Sequence, residues 1–333
     1  MKQTTKYGIP VNIEPLEILC RWVKERYLVH LKKDVQKLPA PWSDWDIMRE
    51  FRFTNVLRRH DKESKFVIDS TYENPELSIE EKILNAFVFR AYNKHETYSL
   101  VGFPHKRELI TWDEVLEMER KISAKRVENP TYCFCTSAFN TGGIKTCWGN
   151  FVDKEAAFDK TNLVESRFAI LFNDLIKNNV DKKILECKTA EEVGKAIRKV
   201  RGFAGEFLSF QVYVDLTYIP GFPFTEDDWA VCGPGCKLGI CYLFGDDDRS
   251  IKEVGYTYDE LLYWTRDNLS KMLLDNGVDL EALMEDLPRN QRRISLSNVE
   301  NLFCEFSKTC KQVYKEGKAR RKYTVQSASS DLF

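Results

Sequence analysis

The sequence predicts an all-α, mainly helical protein with minor β elements. Helix starts are written into it as capping boxes, in which a Ser or Thr hydroxyl caps the first turn and a Glu three residues on returns the hydrogen bond. The pairs are Ser78 with Glu81, Thr111 with Glu114, Thr189 with Glu192, Thr257 with Glu260, and Ser297 with Glu300. Each opens onto apolar residues three and four apart, such as Ile83, Leu84, Phe87 and Val88, the spacing that lines one helical face. Two-residue alternation is scarce, and 132–136 and 239–244 are the best strand candidates.

In chain order, helices are expected at 14–33 and 44–61, after the boxes at Ser78 and Thr111, at 153–177, after Thr189, at 205–217, and after Thr257 and Ser297. Pro- and Gly-rich turns at 39–41, 140–143, 220–223 and 233–235 separate them. The end from Val325 is Ser-rich and reads as frayed. The expected organisation is an N-terminal extension (1–44), one helical domain (45–322) and a flexible tail (323–333).

With 50 Lys and Arg against 51 Asp and Glu, the formal charge is −1, so affinity for nucleic acid has to come from a local basic face. The first fifteen residues lack the apolar run of a signal peptide, and no stretch reaches the roughly 18 apolar residues of a membrane span. Ten cysteines in 333 residues are too few for a disulfide scaffold, which points to a reducing, cytoplasmic setting with no membrane partner. Cys133, Cys135 and Cys147, and Cys232, Cys236 and Cys241, lack the CxxC pairs of a zinc ribbon, so no metal site is assigned.

Four clusters carry chemistry. Read as a helix, Arg52, Asn55 and Arg59 share one face, and Asn55, Arg58 and Asp61 an adjoining one. Guanidinium groups beside an amide and a carboxylate suit a phosphate dianion together with a base edge or an amine, although a solvated charged face has the same composition. In the second cluster, 201–216, Gly202 and Gly205 turn the chain into a helix carrying Gln211 and Asp215. The turn resembles a helix–hairpin–helix, where glycines and free amides approach a phosphate; a plain corner between helices is the alternative.

The third cluster joins Asp228 to Gly233, Pro234, Gly235, Lys237 and Gly239, a backbone-exposing loop that could cradle phosphate oxygens or merely turn. It is not a P-loop; the Gly-x₄-Gly-Lys-[Ser/Thr] spacing is absent from the chain, which argues against an autonomous P-loop kinase. The fourth is the basic run Lys308, Lys311, Lys315, Lys318, Arg320, Arg321 and Lys322, a DNA-tracking face or a solvated helix end.

Together, RFTNVLRRHD, FRAYNK, GFAGEFLSFQVYVDL, GPGCKLG and VENLFCEFSK, between Trp45 and Lys322, resemble the α-glutamyl/putrescinyl thymine pyrophosphorylase family. The same region is similar to the helical domain of 5-hydroxymethyluracil DNA kinases. The resemblance implies a DNA-glycosylase-like helix–hairpin–helix fold and a role in bacteriophage thymine hypermodification. It also implies DNA containing modified uracil as substrate, an amino acid or polyamine as donor, and base flipping. The absence of a kinase module makes the transferase the expected role. On that chemistry Arg52, Arg58 and Lys237 would hold pyrophosphate with the 233–235 amides, and Asn55 or Gln211 would read the uracil edge. Asp61 or Asp215 would accept the amine proton. Mg²⁺ chelated by pyrophosphate and Asp228 is the one cofactor this chemistry admits, and the sequence does not require it. A DNA glycosylase and a non-catalytic DNA-binding module are the rival classes.

Overall fold

The computed structural model describes residues 2–136, 164–245, 251–253 and 255–316. They are mainly helical, with one small two-stranded sheet. Counting helices of nine residues or more, these are α1 (Ile13–His30), α2 (Ile79–Tyr92), α3 (Trp112–Glu128), α4 (Val164–Lys177), α5 (Ala190–Arg198), α6 (Glu206–Leu216), α7 (Pro234–Phe244), α8 (Tyr258–Asp275) and α9 (Leu296–Val313). None of the described helices is long and apolar enough to cross a membrane.

Capping chemistry sets most helix starts. Ser78, Thr111 and Thr257 each form the complete reciprocal box that opens α2, α3 and α8. At α5 the Thr189 hydroxyl accepts from the Glu192 amide, but the Glu192 carboxylate turns to the Lys188 amide instead. The box expected at Ser297 does not form. Here α9 starts at Leu296 after Ser295, and Ser297 and Glu300 lie buried inside the helix.

Three further expectations are corrected. Residues 239–244 are helical, belonging to α7. Residues 132–136 are irregular, with a bend at 134–135, rather than a strand. The helix expected over 44–61 is only a short turn of helix, Asp46–Glu50, followed by extended chain and a 3₁₀ turn at Arg58–His60. Thr54 and Asn55 are drawn out of helical geometry by side chains that bond their backbone, as described below, a competition that Ser, Thr, Asn and Asp commonly win outside helices. Of the helix expected at 153–177, residues 153–163 lie outside the described residues.

The chain divides into two compact units, residues 1–61 with 230–333, and residues 62–229. In the first, β1 (Gln3–Thr4) pairs antiparallel with β2 (Val11–Asn12), Gln3 opposite Asn12. Residues 1–44, set apart in the sequence as an extension, supply α1, whose Leu19, Trp22 and Val23 are fully buried. Asn12 closes the end of α7 by donating its amide to the carbonyls of Tyr242 and Gly245, both at 2.9 Å.

Helices α7 and α9 meet on glycine. A Cβ on Gly235 would lie 3.1 Å from the Cys304 sulfur, and one on Gly239 would be driven into the Phe303 carbonyl. Gly239→Ala is therefore expected to cost about 1–3 kcal/mol or more, because the obstacle is backbone and cannot rotate away. Gly205→Ala, with open space around its Cβ and only the N-cap preference of α6 to lose, is the control and should cost less, about 0.5–1 kcal/mol. Denaturant midpoints of the two variants check this; equal midpoints would remove close helix packing as the reason for the glycine.

The second unit is built around α2, of which every residue from Lys82 to Tyr92 is buried. It ends in a left-handed Asn93 (φ 47°), a common helix stop for a residue other than glycine. α4 and α6 pack against it, and α5 lies against α6 across the glycine turn. Gly202 in that turn has φ 87°, which a side chain would resist.

Candidate active site

Of the candidate residues, the structure gathers Asn55, Arg58 and Asp61 in the first unit, although not on a helix. The Asp61 carboxylate reaches back six residues to accept from the Asn55 backbone N–H (2.7 Å) and side-chain amide (3.1 Å). Asn55 also donates to the His60 carbonyl at 2.8 Å. This closed loop orders the stretch that the sequence presented as a helical face. Arg52 lies exposed on it.

α9 supplies the other wall. Asn298 accepts from the Arg58 backbone N–H at 2.7 Å, and Asn301 bonds the Thr54 hydroxyl at 3.0 Å and the Asn55 carbonyl at 3.4 Å. α1 supplies Arg26, whose Nε donates to the Thr54 carbonyl at 2.9 Å. Arg26, Asn55, Arg58, Glu300 and Glu305 are all buried. Two guanidinium groups and three carboxylates therefore share one enclosed polar centre.

Burial dominates its electrostatics. Desolvation pushes the Asp61 carboxyl up to about 6, against the opposing pull of the Asn55 amide and of Arg58 and Arg26. Glu300 is raised for the same reason, opposed by Arg58, Cys304 and the Gly233 amide. His60, facing His30 in a stack at 4.3 Å, is pushed down to about 4 by burial and by that neighbour, so it is neutral at pH 7. Three buried atoms of the centre have no hydrogen-bond partner among the described residues: Asn55 Oδ1, an Arg26 Nη and Glu305 Oε2. Buried polar groups are usually satisfied in folded proteins, so these atoms make the centre the candidate site of the first unit.

The glycine loop behaves differently from the expected phosphate cradle. The N-terminal amide of α7, at Gly233, points at an anion, but that anion is the chain's own Glu300 carboxylate. Lys237 is exposed and lies over the Tyr258 ring, 5.6 Å from its centre. Cys232 and Cys236 touch at 3.1 Å, and Cys304 contacts Glu300 at 3.5 Å. Burial raises the thiols of Cys236 and Cys304, which keeps them protonated. No group of three or more metal-ligating side chains occurs among the described residues. Lys308 pairs with Glu305 at 2.6 Å; Lys311 is half-buried; Lys318, Arg320 and Arg321 lie outside the described residues.

The remaining candidates, Gly202, Gly205, Gln211, Asp215 and Asp228, belong to the second unit. Asp215 is fully buried, and both of its oxygens accept from the Arg90 guanidinium, through Nε at 2.5 Å and through Nη2. The same guanidinium donates to Asn93 at 2.7 Å. Both carboxylate oxygens are thus occupied by the Arg90 ion pair. Gln211 is buried on α6. Asp228 closes a turn by accepting from the Thr225 amide and hydroxyl, at 2.6 and 2.9 Å.

The family model of the 5-hmdU DNA kinase helical domain matches residues 14–319. The chain belongs to this family. Within it, a 5-hmdU DNA kinase of Bacillus phage SP10 is 29% identical over 234 residues, covering 67% of this chain and 35% of that protein. This family member thus spans about a third of the length of the curated relative it matches. No solved structure matches it. The match is to the helical domain.

Arg26, Asn298, Glu300, Asn301 and Glu305 complete the centre of this family member; Glu300, Asn301 and Glu305 fall in the VENLFCEFSK motif but were given no role there, and Arg26 and Asn298 were not among the candidates read from sequence. A signal was present: Arg26 and Glu305 fall in the apolar stripes of their helices, beside Trp22, Val23 and Tyr27 and beside Leu302, Phe303 and Phe306. A charge in such a register has to be paired or functional.

Proposed function

We propose that this chain works in bacteriophage DNA hypermodification, replacing the pyrophosphate of 5-pyrophosphoryloxymethyl-uracil in DNA with an amine from an amino acid or polyamine. The observation that carries the reading is the polar centre of the first unit, where a carboxyl with raised proton affinity sits beside two guanidinium groups. The amine lone pair attacks the exocyclic methylene carbon, the carbon–oxygen bond breaks, and pyrophosphate departs with its oxygen. Asp61 takes the proton released by the amine, a task suited to a group titrating near 6. Arg58 and Arg26 offset the negative charge that grows on the leaving group. On this reading the Gly202 turn acts as a helix–hairpin–helix contact to the DNA backbone, and the target base is flipped out to be reached.

Incubation of purified protein with pyrophosphorylated 5-hydroxymethyluracil DNA and a pool of amino acids and polyamines, followed by nucleoside mass spectrometry, tests the reading. A new thymidine adduct is expected and names the donor. Base loss would instead indicate a glycosylase.

A second reading has its own observation: the match is to the helical domain of a much longer kinase. On that reading the chain is a DNA-binding partner of a 5-hydroxymethyluracil kinase. An unchanged nucleoside profile, together with stimulation of such a kinase, would favour it.

A further inference from the structure

α1 does not stop at His30; it widens into a turn of π-helix, Leu31–Val35, and then reverses through a left-handed Lys37 (φ 55°) into the segment ending at Trp42. This loop holds itself in shape. The Leu38 amide donates to the Lys32 carbonyl at 2.9 Å, the Trp42 indole to the Leu38 carbonyl at 2.8 Å, and the Lys32 ammonium to the Trp42 carbonyl at 3.0 Å. Lys33 lies 5.1 Å from the centre of the Trp42 ring.

Such an ordered loop would be expected to bury its apolar side chains, yet Val35 is 53% and Leu38 48% exposed. Lys32, Lys33 and Lys37 lie on the same loop, the last two exposed, and make no salt bridge among the described residues. The loop's only acid, Asp34, is taken by His30 at 3.0 Å; the next one along the chain, exposed Asp44, lies beyond Trp42. Three lysines against a single acid, which His30 and Lys33 share, leave a net positive, pre-shaped apolar tip that complements a polyanion also offering apolar surface.

We propose that residues 31–42 form a DNA-contact surface, with Lys32, Lys33 and Lys37 on phosphates and Val35 and Leu38 against sugar or base faces. This rests on the reading that the chain works on DNA and assigns a role to a segment outside the polar centre. DNA is favoured over an anionic membrane because two aliphatic side chains and three lysines make a small footprint. Stable anchoring on lipid takes a larger apolar contribution or a second signal, whereas each phosphate contact on duplex DNA adds to affinity through counterion release.

The test is fluorescence anisotropy of the full chain on a duplex of about 25 base pairs across a salt series. Lys33→Gln with Lys37→Gln should make the log–log salt slope shallower by about 2, since each phosphate contact contributes about 0.9. Lys32 is left in place because it ties the loop. Val35→Ser with Leu38→Ser should weaken binding about tenfold or more at an unchanged slope, and Lys121→Gln, exposed in the second unit, should lower neither value comparably. Wild-type slope and affinity in both loop variants would overturn the surface while leaving the functional reading standing. A wild-type chain that binds no DNA even at low salt would sink both. Loss of binding to phosphatidylserine vesicles, with DNA binding unchanged, would reassign the loop to lipid.

Discussion

Replacing Arg90 with methionine is expected to destabilise the second unit by about 3–5 kcal/mol, the cost of leaving a buried charge without its partner. For a unit of this size that corresponds to a melting temperature lower by on the order of 10 °C. The cause is geometric. Asp215 is fully buried and relies on Arg90 for both oxygens, so methionine strands a carboxylate in the core. Asp215→Ala should be damaging for the mirror reason. It strands the guanidinium, so any lost activity reports unfolding rather than a missing catalytic base. The double variant Arg90→Met with Asp215→Leu removes both charges and should recover most of the loss. Thermal melts of the three proteins decide the matter; an Arg90→Met protein melting within about 2 °C of wild type would show that the pair contributes little.

Asp61→Asn should behave in the opposite way, losing transfer while keeping the fold. The asparagine carbonyl still accepts from the Asn55 amide, but no group remains to take the amine proton, and a drop of about 10²–10⁴-fold is the usual size of a lost general base. Wild-type transfer should rise with pH through about 6 as Asp61 ionises, and the variant should lack that limb. Stability carries an independent signature. The folded-state value lies above the unfolded one, near 3.9, so protonated Asp61 favours folding below about pH 4, and that contribution is lost as pH rises through 6. Asp61 is partly exposed, so the loss is at most about 3 kcal/mol. Asp61→Asn should therefore gain on wild type between pH 4 and 7 in denaturant titrations. Parallel pH dependence in the two proteins would remove Asp61 as a carboxyl of raised proton affinity.

How far these features were legible depended on how local they are. The capping boxes at Ser78, Thr111 and Thr257 need only four consecutive residues, and they open helices as read. Ser297 satisfied the same pattern but failed, because burial of Ser297 and Glu300 against the rest of the first unit places the helix start at Leu296. The cluster of Asn55, Arg58 and Asp61 was found through the wrong geometry. A helix face was inferred, whereas Asp61 folds back on an extended Asn55 and the same residues meet by another route. Arg26, Glu300 and Glu305 come from helices far away in sequence, so no local spacing ties them to Arg58. The glycines of α7 were read as a phosphate loop because nothing in their spacing reveals that α9 lies against them.

The first unit is assembled from the two ends of the described chain, with the second unit encoded between them. Its ties span most of the sequence: Asn12 to Tyr242, Cys20 to the Met272 carbonyl, Arg58 to Asn298. On the ribosome, the apolar face of α1 with Trp22 and Val23 emerges more than two hundred residues before α9, during which α2 to α6 can already fold among themselves. The polar centre that joins α1, Asn55, Arg58 and α9 therefore closes only after α9 is made, and a nascent chain stalled before residue 296 holds the whole second unit without that centre.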